Sequence, residues 1–177
     1  MTIPIELHSD QLIEGHFTDM LDLARALPEF VVFYNGPKCG ASAPDHFHFQ
    51  AGSKGFLPIE KDFHNPAFLK QIGEMKDAKI FCWKGYQRGI LTLKGKDKHI
   101  LSTLFESFYK NFQEIQPREK EPMVNILAYL EADEWIIHFF PRILHRPMQY
   151  FEAGDKQILL SPASVDMGGV FITPREE

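Results

Sequence analysis

Apolar residues at Ile13, Phe17, Met20, Leu21, Ala24 and Leu27 recur at the three-to-four-residue spacing that puts them on one face of a helix. Ser9 or Asp10 can cap that helix and Pro28 stops it, with Gly15 a weak point inside. Residues 30–34 are β-rich, residues 35–44 form a Gly- and Pro-containing loop, and a second strand follows around His46, His48 and Gln50. Antiparallel pairing of the two strands is expected. Residues 52–77 read as a connector with a short helix over 66–75, and 79–83 and 89–93 read as further strands. Asp97 can cap a second amphipathic helix carrying Leu101, Leu104, Phe105, Phe108 and Phe112 on one face, which the charged, solvated stretch 116–121 ends. Residues 124–130 and 134–140 predict a hairpin around Ala132-Asp133, and 158–160 and 169–173 predict short terminal strands. The order helix, strand, strand thus occurs twice, as an internal duplication would leave it.

Strand alternation divides the run His46-Phe47-His48-Phe49-Gln50-Ala51. Its even positions point one way and its odd positions the other. Phe47, Phe49 and Ala51 suit a core, while His46, His48 and Gln50 form a polar stripe held in place by the aromatics behind them.

Composition narrows the setting. The chain has 177 residues with 44% hydrophobic and 13% aromatic content, enough for one compact domain with a sizeable core. It is read as two lobes, residues 1–75 with the histidine motif and residues 76–177 completing the sheet. A net charge of −5 gives no basic footprint, which argues against nucleic acid as a partner but leaves small anionic ligands open. No apolar run approaches the roughly 20 residues that span a bilayer, and the start lacks the features of a targeting peptide. With Cys39 and Cys82 far apart, a reduced cytoplasmic setting is the expectation and membrane association is not.

A His-x-His-x-Gln face has three chemical readings. It can be the wet side of an ordinary strand. It can supply two metal ligands, as in the opening of a cupin motif, although Gly52 and Ser53 stand where a cupin carries glutamate and a catalytic zinc takes three protein ligands. Any further ligand would have to come from a distant position such as His64, His138 or His145. It can also attack phosphorus, because imidazole is partly unprotonated at neutral pH and the phosphoramidate it forms transfers readily. The loop of residues 36–42 then offers backbone N–H groups, the Ser42 hydroxyl and Lys38 to phosphate oxygens, and Gln50 a side-chain amide. His138, among Trp135, Ile137 and Phe139, reads as structural; Arg142, His145 and Arg146 read as surface charge, Cys39 as a plain loop thiol and Lys54 as a solvated lysine.

Asn35-Gly36, Gly40-Ala41-Ser42 and His46-Phe47-His48-Phe49-Gln50 together resemble the transferase branch of the histidine-triad superfamily, in which glutamine replaces the hydrolases' third histidine. That branch includes galactose-1-phosphate uridylyltransferase, diadenosine-tetraphosphate phosphorylase and the GDP-hexose phosphorylases. His48-Phe49-Gln50-Ala51 with Pro58-Ile59-Glu60-Lys61 is most similar to the last group, and looser likeness runs through residues 87–91, 124–127, 161–163 and Gly168 to the 173–176 end.

The resemblance implies an α+β fold with an antiparallel sheet, helices mainly on one face and a second half-repeat. It implies His48 as nucleophile, His46 orienting the site, Gln50 on the transferred phosphate, and Asn35 with Gly40, Ala41, Ser42 and Lys38 on the remaining oxygens. The expected reaction passes a nucleotidyl group from a nucleoside diphosphate sugar or dinucleotide through His48 to a phosphate acceptor. Hydrolysis and nucleotide binding without turnover are the alternatives. No cofactor is required, a divalent metal is allowed, and a homodimer is implied. The family's upstream stretch, which helps bind base and ribose, has no counterpart before Thr2-Ile3-Pro4, so a shortened N-terminus is expected.

Overall fold

A computed structural model describes residues 1–6 and 8–173. Eight strands form one antiparallel sheet: β1 (Thr2–Pro4), β2 (Phe30–Asn35), β3 (His48–Ser53), β4 (Leu69–Met75), β5 (Ala78–Trp83), β6 (Leu91–Gly95), β7 (Val124–Glu131) and β8 (Glu134–Pro141). Their spatial order is β1-β3-β2-β7-β8-β6-β5-β4. Helices α1 (Phe17–Ala26) and α3 (Lys98–Ile115) cover one face, and the short helices α2 (Pro58–Asp62) and α4 (Ser164–Met167) lie against the other.

Side-chain alternation creates a separate apolar layer on each face. On the helix face Val32, Tyr34, Phe47, Phe49, Ile126, Ile137 and Phe139 pack against Phe17, Met20, Leu21, Leu101 and Phe105. On the second face Val31, Phe33, Leu127, Tyr129, Ile136 and Phe140 pack with Leu57, Ile59 and Phe63. The fold is therefore α+β with its long helices on one side, as the sequence predicts. The order α1-β2-β3 recurs as α3-β7-β8, and the two hairpins meet where β2 pairs with β7.

Helix α3 begins where the sequence places it, because the Asp97 side chain accepts from the backbone N–H groups of His99 and Ile100. The 124–140 hairpin closes over Ala132 and Asp133, which take the positive φ values of 48° and 64° that a tight hairpin turn demands.

Several expectations are corrected. Helix α1 starts at Phe17 rather than beside Ser9, since Gln11 N and Ile13 N are spent on Pro44 O and the Glu121 carboxylate and Gly15 takes φ of 81°. Residues 66–75 hold edge strand β4 instead of a helix; it pairs with β5 through a bulge between Gln71 and Gly73, and a Cβ added at Gly73 would lie 3.2 Å from Ile80. The helix of this connector is α2, started by Pro58 and held by Glu60, which accepts from the N–H groups of Gly55 and Leu57. Residues 158–160 and 169–173 are irregular and not strands, and α4 lies between them. The stretch 116–121 is not uniformly solvated, because Glu121 is only 4% exposed. Residues 174–176 of the expected C-terminal likeness lie outside the described residues. Among the described residues no helix is long and apolar enough to cross a membrane.

Candidate functional site

Register brings the polar residues into one row. Asn35 of β2 is directly opposite Asn125 of β7, and continuing the β2–β3 register two residues beyond Phe33 and Gln50 sets Asn35 opposite His48. Asn125, Asn35 and His48 are therefore neighbours across three strands on the second face, with Gln50 one step along β3. All three members of the row are buried, and Phe47 and Phe49 lie in the core on the other face. His46 precedes the strand instead of belonging to it.

His48 has one committed ring nitrogen. Its Nδ1 is 2.9 Å from the His46 carbonyl, and a carbonyl only accepts, so the proton sits on Nδ1 and the lone pair is on Nε2. His46 contributes to that arrangement through its main chain, while its own Nδ1 lies 3.2 Å from His8 Nδ1. Gln50 Oε1 accepts from Asn35 Nδ2 at 3.1 Å. Among the described residues the Gln50 amide nitrogen donates to nothing, which leaves it available.

Asn35 is a hub. Its Oδ1 accepts from Asn125 Nδ2 at 2.8 Å and from Ser164 N at 2.7 Å, and the Ser164 hydroxyl stands 2.6 Å away. That hydroxyl is also 2.7 Å from Tyr34 O. Asn125 Nδ2 reaches Cys39 O at 2.7 Å and its Oδ1 accepts from Arg142 Nη1 at 2.8 Å. Arg142 goes on to donate to the carbonyls of Pro162, Leu144 and His145. The Arg142 side chain is thus a strap holding the 142–164 segment over the polar row, rather than free surface charge, and burial lowers its pKa.

The loop of residues 36–42 is pinned at both ends of its first turn, Gly36 N donating to Val124 O at 3.1 Å and Cys39 N to Gly36 O at 2.8 Å. Gly40 has φ of 89°, and a Cβ there would come within 2.7 Å of Ala163 Cβ. Glycine is required twice, for conformation and for close approach. Among the described residues the backbone N–H groups of Gly40, Ala41 and Ser42 donate to no protein acceptor, and Ser42 is exposed. Lys38 Nζ pairs with Glu119 at 2.7 Å. Lys54 donates to Leu130 O and lies 5.9 Å over the Tyr129 ring.

Gln11, Ser164 and Glu121 belong to this neighbourhood and carry no local sequence signal of it. Gln11 is fully buried with its amide on the backbones of His48 and Asn35. Glu121 accepts from Ile13 N and from the Tyr34 hydroxyl, and burial pushes its carboxyl up to about 7. Burial likewise drives the Cys39 thiol up to about 12, so it stays protonated and unreactive. His145 titrates below its ordinary value through partial burial and the nearby cations Arg146, Arg142 and Lys38. Paired imidazoles at His8 and His46 could supply two metal ligands, but no cluster of three His, Cys, Asp or Glu side chains suited to a metal exists among the described residues.

This α+β architecture, an eight-stranded antiparallel sheet with its long helices on one face, is similar in fold to a solved Ap4A phosphorylase. Two structures of the yeast Ap4A phosphorylase Apa2 match at 16% identity over 99% of this chain, with TM-scores of 0.65 for its complex with Ap4A and 0.60 for its complex with AMP. The chain spans 61% and 60% of those two phosphorylase chains, or about three fifths of their length. A DUF4931 family protein from Bacillus cereus matches at 14% identity and a TM-score of 0.50, covering 88% of this chain and 74% of that one. The family model of a domain of unknown function, DUF4922, matches residues 1–53. No curated protein sequence matches significantly.

Proposed function

We propose that the protein is a nucleotidyltransferase of the phosphorylase type, working through a covalent intermediate on His48. The observation that carries this reading is the committed tautomer: Nδ1–H is held by the His46 carbonyl, and Nε2 is left with a lone pair on a buried ring. Two solved structures of similar fold are of a phosphorylase with Ap4A and with AMP, which supports a nucleotide substrate.

In the first step the Nε2 lone pair attacks the α-phosphorus of a nucleoside diphosphate sugar or a dinucleoside polyphosphate. A P–N bond forms, the P–O bond to the leaving phosphate breaks, and its electron pair stays on the leaving oxygen. In the second step a phosphate oxygen attacks the same phosphorus, the P–N bond breaks and the pair returns to Nε2. The Gln50 amide and the uncommitted N–H groups of Gly40, Ala41 and Ser42 would donate to the non-bridging oxygens and hold the phosphorus in place through both steps. Asn35 would act chiefly by holding Gln50, since its own oxygen is already filled by Asn125 and Ser164.

Intact mass after incubation with Ap4A, GDP-glucose or UDP-glucose tests the reading. A nucleotidyl adduct is expected with at least one donor, discharged by inorganic phosphate and absent in His48→Ala. Nucleotide binding without any adduct overturns it.

A further inference from the structure

The β2–β3 ladder stops short of the site. Its last paired residues are Phe33 and Gln50, and continuing that register past Tyr34 and Phe49 sets Asn35 opposite His48, beyond the paired stretch. The Gln11 side-chain amide occupies the gap. Its Oε1 accepts from His48 N at 2.8 Å, and its Nε2 donates to His48 O at 2.9 Å and to Asn35 O at 3.1 Å. One amide thereby meets three main-chain groups that the two strands would otherwise exchange between themselves.

We propose that Gln11 is a positioning residue for His48, a wedge that holds β2 and β3 apart at the site and fixes where the His48 ring stands. The role rests on the reading of His48 as nucleophile, but the geometry behind it does not. A direct rung would draw Asn35 and His48 to the ordinary spacing of neighbouring strands, about 4.7–4.9 Å in the hydrogen-bonding direction. An inserted side chain keeps them further apart while still bonding His48 N, His48 O and Asn35 O.

Gln11 is itself held. Its N–H donates to Pro44 O at 3.1 Å and its carbonyl lies 3.0 Å from the Tyr34 hydroxyl, which also stands 2.6 Å from Glu121 Oε2. The side chain is wholly buried, so it cannot touch substrate and acts only through the backbone it bonds.

Two variants and the unaltered protein test this. Gln11→Glu keeps an acceptor for His48 N and loses both donors; Gln11→Met keeps the length and loses all three bonds. Formation of the nucleotidyl adduct is expected to slow roughly 10–100-fold in either variant with donor KM changed less than about threefold, as a small displacement of a reacting atom produces. A purely structural role would lower Tm and leave the rate at low temperature intact, which would overturn the proposal. Nitrogen NMR of the His48 ring gives a readout that needs no substrate: Nδ1–H in the wild type, mixed tautomers in the variants. An unchanged tautomer in a folded variant overturns the proposal as well. If wild type forms no adduct with any donor, the nucleophile reading falls and the NMR comparison still decides the role of Gln11. Should neither variant fold, exchange of the His48 amide hydrogen in wild type decides. Slow exchange supports the clamp, and exchange as fast as in an open loop overturns it.

Discussion

Two histidines sit buried on the same face of the same sheet, and their surroundings differ in one respect that matters for chemistry. His138 on β8 is fully enclosed, beside Phe63 and Trp83, with Nδ1 at 2.8 Å from the Thr92 hydroxyl and Nε2 at 3.3 Å from the Tyr129 hydroxyl. Trp83 donates to Thr92 in turn. Each ring nitrogen of His138 therefore has a hydroxyl partner, whichever of the two carries the proton. Both ring nitrogens are spent. Among the described residues His48 spends one, on a main-chain carbonyl, and keeps the other. What distinguishes a candidate nucleophile from a structural imidazole here is a nitrogen left unbonded; burial, which the two share, does not.

Exchanging the two positions is the strongest way to break that comparison. His48→Ala should abolish adduct formation, a loss on the order of 10⁴-fold or more for removal of a nucleophile, while Tm falls less than in His138→Ala because one side-chain bond is lost in place of two. His138→Ala should do the reverse. It takes the His138 partner from the Tyr129 hydroxyl, leaves Thr92 with Trp83 alone and opens a cavity, at a cost of roughly 2–4 kcal/mol, with the adduct still formed at low temperature. Comparable loss of adduct in both variants, measured by intact mass beside thermal melts, would show that a free ring nitrogen is not what separates the two histidines.

The comparison extends to pH through a second buried group. His138 is held neutral, its pKa dropped from 6.5 to about 3 by burial. Below 6.5 the unfolded chain binds a proton that the folded one refuses, so stability falls as pH drops from 6.5 toward 3. Glu121 works in the opposite sense, its carboxyl raised from 4.5 to about 7. There the folded state keeps a proton that the unfolded state releases, so stability falls as pH rises from 4.5 to 7 and stays at the lower level above it. Between 4.5 and 6.5 the two slopes cancel, and those two groups together leave wild type nearly flat. Glu121→Gln should therefore show stability rising with pH across that window, and His138→Gln should show it falling. Each change should be on the order of 2 kcal/mol over the window, since a tenfold change in proton affinity corresponds to about 1.4 kcal/mol. Urea melts at pH 4.5, 5.5 and 6.5 read both slopes; two variants with slopes of the same sign would refute one of the assignments.

How far the sequence reveals the site follows from what each residue depends on. The polar stripe of His48 and Gln50 against Phe47 and Phe49 is legible because strand alternation is local, and α3 is legible because Asp97 caps it within three residues. His46 is misjudged as a strand residue since the sequence does not mark where pairing begins. The likeness in residues 124–127 and 161–163 points to segments that do converge, Asn125 and Ser164 both meeting Asn35. Gln11, Ser164 and Arg142 acquire their roles only through contacts with residues distant in the chain, and no spacing announces them. The false helix at 66–75 has a different cause. Its composition suits either state, and pairing with β5 along an edge decides the matter.

A finer test of the site end uses two glycines that share a backbone conformation but not a neighbourhood. Gly40 has φ of 89° and Gly55 φ of 85°, so an alanine at either position carries similar backbone strain, about 1 kcal/mol. At Gly55 an added Cβ meets nothing within 4 Å, whereas at Gly40 it would lie 2.7 Å from Ala163 Cβ and 3.1 Å from Pro162 O. Gly55→Ala should therefore cost about 1 kcal/mol and leave adduct formation unchanged. Gly40→Ala should cost about 1 kcal/mol more, because the 161–164 segment must shift and Ser164 with it. As Ser164 N and its hydroxyl both meet Asn35 Oδ1, that shift frees Asn35 to rotate and loosens its hold on Gln50. The difference in Tm between the two variants isolates the contact from the strain. A slower adduct reaction in Gly40→Ala alone would tie that contact to the polar row, and equal melting temperatures with equal rates would show that the 161–164 segment does not hold the site.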